Sequence, residues 1–185
     1  MYLTIGEGED RRQIRFLHGT EDDWEDAMAL AWRVFQRYDA KDYPPRGAES
    51  FLEFISGQDL KRMFMVGRYR LFVAKDGETM VGLISVRESN HLSLLFVDEK
   101  YHGLGVGRAL MECVKDYLWD REEYPLENEA EKILDLLYVK EPDHYVTVFA
   151  APGAVTFYKK LGFRQIGAQE ETDGIIYVPM MLEEK

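Results

Sequence analysis

The 185-residue chain has a single cysteine, Cys113, and this scarcity excludes a framework of disulfide bonds. Cys113 lies on the apolar face of a predicted helix, so we expect a small core residue and not a nucleophile. A chain without disulfide bonds suits a reducing compartment. We therefore expect a cytoplasmic protein.

Long hydrophobic runs are also missing. No apolar run reaches the roughly 18 residues that a membrane-spanning helix needs, so we expect no contact with a membrane. Residues 1–12 are polar and charged, which excludes a secretory signal. We expect these residues to form a loose leader.

Positive charge is scarce relative to negative charge. The chain has 23 lysine and arginine residues against 34 aspartate and glutamate residues, a formal net charge of −11. This balance argues against nucleic acid as a partner, because phosphate backbones attract basic surfaces. It favours a cationic partner such as an amine, although an acidic surface also serves solubility alone. No cluster of histidine, cysteine and carboxylate residues has metal-ligand spacing, so we expect no metal.

The composition is that of a globular protein, with 46% apolar and 13% aromatic residues. At this length we expect one domain over residues 1–185. Charged residues dominate 120–143, which we interpret as an acidic insertion on the surface.

The periodicity of apolar residues predicts the element order β-α-α-β-β-β-α-β-α-β-β. Asp76-Gly77 and Asp173-Gly174 each lie between β-rich runs and predict hairpins. Between the first two helices, the segment from Tyr38 to Arg46 is turn-like and carries two aspartates and two tyrosines. These side chains could rim a pocket for a cation, or the segment could be a solvated loop.

Three glycines stand between a predicted strand and a predicted helix. The apolar run Leu92–Val97 is followed by Gly103, Gly105 and Gly107, and then by apolar residues at helical spacing. Glycine lets the backbone approach a ligand closely, and the first amides of a helix bind anions such as phosphate. A tight turn is the alternative. The spacing fits neither a Walker A loop nor a dinucleotide fingerprint.

Two segments together resemble the GNAT family of acetyl-CoA-dependent N-acetyltransferases. Val97 to Gly107 is close to the family's V-x-P-x-x-R/Q-G-x-G-x-G/A, and Ala154 to Phe163 is close to A-x-x-F-Y-x-K-L-G-F. The chain departs from the family at His102, where arginine or glutamine is usual. It also departs at Glu99, where proline is usual, and at Ala151, where asparagine is frequent.

The resemblance implies an α/β (α+β) fold. Its central sheet is mixed and mostly antiparallel, with about six to seven strands and helices on both faces. The sheet is splayed between strands 4 and 5, here Leu92–Val97 and Tyr145–Ala150.

By resemblance, the main-chain amides of one loop bind the pyrophosphate of coenzyme A: Gly103, Leu104, Gly105, Val106, Gly107 and Arg108. The main chain of Leu95, Phe96 and Val97 is expected to pair with the pantetheine arm as if that arm were an added strand.

Tyr158 matches the family's general acid, which protonates the leaving thiolate; the alternative is a core aromatic beside Phe157. The acceptor amine must itself lose a proton, because an alkylamine with a pKa of about 10.4 is charged at neutral pH. His91, which opens a strand, is a tentative base, and Glu88 is the next candidate.

The predicted function is transfer of an acetyl group from acetyl-CoA to a primary amine of an unidentified small molecule or peptide. The alternatives are a non-catalytic acyl-CoA-binding or regulatory module on the same fold, and an enzyme with another donor such as succinyl-CoA. Dimers are common in the family, which implies a homodimer as one candidate state.

Overall fold

The computed structural model describes residues 1–8, 11–87, 90–119 and 144–184. The strands in these ranges are β1 (Tyr2–Ile5), β2 (Arg12–His18), β3 (Tyr69–Asp76), β4 (Thr79–Arg87), β5 (His91–Val97), β6 (Tyr145–Ala150), β7 (Arg164–Gln165), β8 (Glu170–Thr172) and β9 (Ile175–Glu183). The helices are α1 (Trp24–Tyr38), α2 (Pro45–Ser56), α3 (Gln58–Met65), α4 (Val106–Trp119) and α5 (Val155–Lys160). The predicted acidic insertion at 120–143 lies outside the described residues.

One mixed sheet has the strand order β1-β2-β3-β4-β5-β6-β9-β7, and β8 pairs with β9. The only parallel neighbours in the described sheet are β5 and β6. Their ladder joins His91 to Thr147 and Leu92 to Val148 and goes no further. The predicted fold class is confirmed, and the sheet opens where we expected, between Leu92–Val97 and Tyr145–Ala150.

The expectation of a loose leader is wrong for residues 2–5. Tyr2–Ile5 forms an antiparallel edge strand on Arg12–His18, with Tyr2 opposite Arg15 and Ile5 opposite Arg12. Ile5 is only 6% exposed, because its side chain joins the core beneath the sheet. This strand and the short strands β7 and β8 account for the strand count exceeding six to seven.

Helices cover the two faces of the sheet and form two cores. The helices α4 and α5 pack on one face, in a core that includes Cys113, so the expectation for this cysteine is confirmed. The helices α1, α2 and α3 pack on the other face. The sequence patterns did not predict α3, which follows α2 after the single residue Gly57.

Local signals explain several boundaries. The Thr20 N–H donates to Asp23 Oδ2 at 2.9 Å in a short turn that leads into α1. Pro45 is the first residue of α2, where a proline's fixed φ suits a helix start. Both hairpin predictions are confirmed, since Gly77 (φ +59°) and Gly174 (φ +81°) occupy left-handed turn positions.

Candidate active site

The glycine loop after β5 leads directly into the N-terminus of α4. Gly103 has φ +76° and Gly105 has φ +87°, a region that side-chain-bearing residues rarely adopt. Among the described atoms, nothing lies within 4 Å of a Cβ placed on Gly103, and only Leu3 does so at Gly105. The backbone of the loop is therefore open to a ligand.

The first amides of α4 have no main-chain acceptor among the described residues. The first bond of the helix runs from the Ala109 N–H to the Gly105 carbonyl at 3.0 Å, which leaves the amides of Val106, Gly107 and Arg108 unpaired. Unpaired amides and the helix dipole favour a bound anion. This part of the site fits a phosphate group.

Gly107 brings the two sequence motifs into contact. A Cβ on Gly107 would lie 3.3 Å from Cζ of Phe157 and 3.7 Å from Cγ2 of Val97. Gly82 on β4 has a similar role, since its Cβ would lie 3.2 Å from Cγ1 of Val106. These glycines let α4 lie close to α5 and to the sheet. The sequence patterns predicted neither contact, although the two motifs together pointed to one family.

The edge of β5 that faces the gap offers main-chain groups. The amides of Leu94 and Asp98 point towards β4, at 3.1 Å from Ser85 Oγ and 2.8 Å from the Val81 carbonyl. Because main-chain groups alternate along a strand, those of Leu95 and Val97 face the gap.

Phe96 differs from its two neighbours. By the same alternation, its main-chain groups face β4, which leaves the edge along the gap to Leu95 and Val97. Its side chain packs with the core beneath α1, and its ring centroid lies 5.7 Å from that of Phe51. The expectation that Phe96 pairs with the pantetheine arm through its main chain does not fit this orientation.

His102, the departure from the family motif, holds the loop to the strand before it. Its Nε2 donates to the Val97 carbonyl at 2.7 Å. Its ring lies 5.1 Å from that of Tyr38 at the end of α1, and the Tyr38 hydroxyl donates to Glu99 at 3.0 Å. His102 therefore links β5, the glycine loop and α1.

Tyr158 lies in α5, in the core that this helix and α4 form on one face of the sheet. It is 6% exposed, and its ring contacts those of Phe157 and Phe163 at 5.3 and 5.2 Å. Its hydroxyl has no hydrogen-bond partner among the described residues. Burial, and then the negative charge of Asp39, raises the pKa of Tyr158 above its ordinary value. The hydroxyl is thus protonated at neutral pH and able to donate.

The loop between α1 and α2 brings carboxylates towards Tyr158. Burial, and then the charge of Asp42, raises the pKa of Asp39 to about 6. Burial, and then Asp39, raises the pKa of Tyr43 to about 12. Asp42 Oδ2 lies 4.0 Å from a Cβ placed on Gly153, in the turn before α5. The sequence flagged this segment but did not connect it to Tyr158.

His91 lies where β5 and β6 still pair. Its Nδ1 is 2.9 Å from Thr147 Oγ1, and its ring is 4.6 Å from that of Phe149. Burial, and then the charge of Arg87, lowers the pKa of His91 to about 4. The imidazole is neutral at physiological pH and a weak proton acceptor. Glu88, the other candidate base, lies outside the described residues.

Comparison with known families identifies the chain. A family model described as an acetyltransferase (GNAT) domain matches residues 39–133 and 127–184. The chain belongs to the GNAT acetyltransferase family. It is therefore an acetyltransferase, as the two motifs predicted. A search of curated proteins by sequence found no significant match.

Solved structures share the fold of this acetyltransferase. A GCN5-related N-acetyltransferase from Rhodopseudomonas palustris has a TM-score of 0.70 at 17% identity, over 91% of this chain and 94% of that one. PaiA N-acetyltransferase from Thermoplasma acidophilum, in complex with coenzyme A, has a TM-score of 0.61 at 19% identity, over 92% and 98%. A ribosomal-protein-alanine N-acetyltransferase from Brucella melitensis has a TM-score of 0.58 at 19% identity, over 91% and 99%.

Two further observations on this acetyltransferase concern metal ions and membranes. In the described ranges, no group of three or more histidine, cysteine or carboxylate side chains is placed to hold a metal ion. None of the helices in the same ranges combines the length and apolar character that crossing a bilayer demands.

Proposed function

We propose that this acetyltransferase transfers the acetyl group of acetyl-CoA to a primary amine by direct attack of the amine on the thioester. One observation carries the proposal: Gly107, among the unpaired amides at the start of α4, packs against Phe157, the residue before Tyr158. This contact would hold the proposed phosphate site and the proposed proton donor in a fixed relation.

The glycine loop is the proposed site for the pyrophosphate of coenzyme A. Within the six residues from Gly103 to Arg108, the amides at the start of α4 are unpaired, and two left-handed glycines keep the backbone accessible. The Leu104 amide is the exception, because it donates to the Tyr101 carbonyl at 3.4 Å. The pantetheine arm would then run along β5 and pair with the main chain of Leu95 and with the N–H of Val97, because the Val97 carbonyl already accepts from His102. Recognition of the cofactor rests on main-chain atoms.

The chemistry requires a proton acceptor for the amine, a donor for the oxyanion and a proton donor for the thiolate. We infer that the Leu95 amide, which faces the gap, stabilises the oxyanion. We infer that the Tyr158 hydroxyl protonates the thiolate, and the proposal is supported by the burial that keeps this hydroxyl protonated at neutral pH. His91 stays a hypothesis for the base, one that its low pKa weakens.

An acceptor that is cationic before it reacts suits the charge of this chain, formally −11. The related structures do not name one acceptor class, since one of them is a ribosomal-protein-alanine N-acetyltransferase and another is PaiA. We therefore propose a primary amine on a small molecule or a peptide.

Two measurements test the proposal. Calorimetry with acetyl-CoA should show saturable binding with one site per chain. Thiol release from acetyl-CoA should then rise with at least one acceptor in a panel of polyamines, aminoglycosides, amino acids and peptides with free N-termini. Comparison with succinyl-CoA at one acceptor tests the donor. Binding without thiol release across the panel would contradict the proposal and favour a regulatory module.

We also propose that residues 1–185 form one domain, because helices on both faces share the one sheet. The cytoplasmic location rests on the single cysteine. The homodimer rests on the family resemblance, and sedimentation equilibrium tests it.

A further inference from the structure

Asp39 holds an unpartnered carboxylate in a defined backbone position. It follows α1, where its N–H donates to the Phe35 carbonyl at 2.9 Å and its carbonyl accepts from the Asp42 N–H at 2.8 Å. The side chain is half-buried, and its oxygens have no hydrogen bond or ion pair among the described residues. A partly buried carboxylate without a partner costs stability, which suggests a purpose other than folding.

The charge of the carboxylate acts on a second unpartnered polar group, the hydroxyl of Tyr158. Tyr158 is 6% exposed, and the charge of Asp39 is one of the two influences on its pKa. The position of Asp42 against Gly153 shows independently that this loop approaches the turn before α5. The loop that carries Asp39 and the helix that carries Tyr158 thus approach one another, and no hydrogen bond in the described part of the chain satisfies the Asp39 carboxylate or the Tyr158 hydroxyl.

We propose that Asp39 is the catalytic base of this acetyltransferase and accepts the proton that the acceptor ammonium must lose. The assignment rests on the proposed function and supplies the group that the motifs do not identify. It implies an acceptor that arrives as a cation, because the ionised carboxylate would bind the ammonium before taking its proton.

The protons balance over one turnover. Asp39 takes a proton from R–NH3+, and the free amine forms a bond to the thioester carbon. When the C–S bond breaks, Tyr158 gives its proton to the sulfur. The nitrogen, which still carries one proton too many, returns that proton to the Tyr158 oxygen, directly or through water. Asp39 releases its proton to solvent, and the products are the amide and the thiol.

The charges around Asp39 suit this role. Burial and Asp42 raise its pKa, Lys41 lowers it, and Tyr43 and Tyr158 are neutral neighbours at physiological pH. With a pKa of about 6, Asp39 is ionised at neutral pH and still a far stronger base than an exposed carboxylate. His91, with a pKa of about 4, is the weaker acceptor.

The decisive experiment is the pH dependence of kcat/KM for wild type and Asp39→Asn, with the best acceptor of the panel. Wild type should lose activity on the acidic side with an apparent pKa near 6. Asp39→Asn should lower kcat/KM about 100-fold at pH 7.5 and abolish the acidic limb of the pH profile, which is the fall in activity at low pH. Calorimetry should show unchanged affinity for acetyl-CoA, which separates a lost base from a lost fold.

Asp42→Asn is the matched control, since it removes the same charge from the same loop. It should keep turnover at pH 8 and move the acidic limb to lower pH, because Asp42 contributes to the raised pKa of Asp39. His91→Gln should keep the limb where it is.

If kcat/KM of Asp39→Asn still fell at acidic pH as in wild type, or if that fall disappeared in His91→Gln, the assignment of the base would be overturned and the proposed function would stand. Absence of turnover in wild type with every acceptor would overturn both.

Discussion

In the proposed function, the two halves of the active site recognise their ligands by different means. On the side of the cofactor, the loop after β5 offers amides and left-handed glycines, and the edge of β5 offers its main chain. On the side of the acceptor, the loop between α1 and α2 offers the side chains of Asp39 and Tyr43. A main-chain site tolerates changes of side chain, whereas a side-chain site changes its ligand with each substitution.

The largest expected effect falls where the two halves meet, at Tyr158. Tyr158→Phe should lower kcat about 100- to 1,000-fold, the range for a lost general acid, with unchanged affinity for acetyl-CoA. The fold should tolerate the change, because the hydroxyl has no hydrogen bond among the described residues to lose. Steady-state kinetics and calorimetry test this, and retention of wild-type kcat would refute the role as acid.

Gly105→Val tests whether the cofactor half depends on its backbone. A β-branched residue at φ +87° should strain the backbone of the loop by about 1–3 kcal/mol, so we expect the free loop to relax to another conformation. Returning the loop to the binding conformation would then lower the affinity for acetyl-CoA about 5- to 150-fold. Leu104→Val is the matched control, since residue 104 has no positive φ and is exposed. Calorimetry reads out both variants, and equal affinity in the two would mean that the loop is only a turn.

The cofactor half could be predicted because its determinants are contiguous in sequence. The spacing of Gly103, Gly105 and Gly107 after an apolar strand encodes the turn and the helix start together. The contact of Gly107 with Phe157 explains why the two motifs, about 50 residues apart, point to one fold. What the pattern could not show is which way each main-chain group faces, and Phe96 was therefore grouped with Leu95 and Val97.

The acceptor half could not be predicted in the same way. Asp39 and Tyr158 are over a hundred residues apart in sequence. The approach of the loop after α1 to the turn before α5 depends on how these helices lie on opposite faces of the sheet. Composition alone flagged the segment from Tyr38 to Arg46. The same limit explains β1, where three apolar residues among polar ones form a strand only because β2 offers an edge.

Asp39→Asn should also stabilise the protein, because burial of the ionised Asp39 carboxylate lowers the free energy of unfolding. Its pKa is raised to about 6 by burial, so its contribution to stability is greatest below its ordinary pKa of about 4 and is lost as the pH rises to 6. After allowance for partial exposure, the variant should gain about 1–2 kcal/mol of unfolding free energy at pH 7.5. Urea unfolding at pH 4 and pH 7.5 tests this. A gain of the same size at pH 4 would show that ionisation is not the cause.

The smallest expected effect concerns His102, whose side chain supports the cofactor half of the site. His102→Ala removes the bond to the Val97 carbonyl and the packing on Tyr38, so acetyl-CoA affinity should fall about 2- to 10-fold. His102→Gln keeps a donor and restores a residue usual in the family, so it should stay within about 2-fold of wild type. If the two variants bind acetyl-CoA equally, the bond to Val97 does not position the loop. If only His102→Ala weakens binding, a side-chain donor at residue 102 positions the glycine loop through its bond to β5. The contact of His102 with Tyr38 then joins the cofactor half of the site to α1, which leads into the acceptor half.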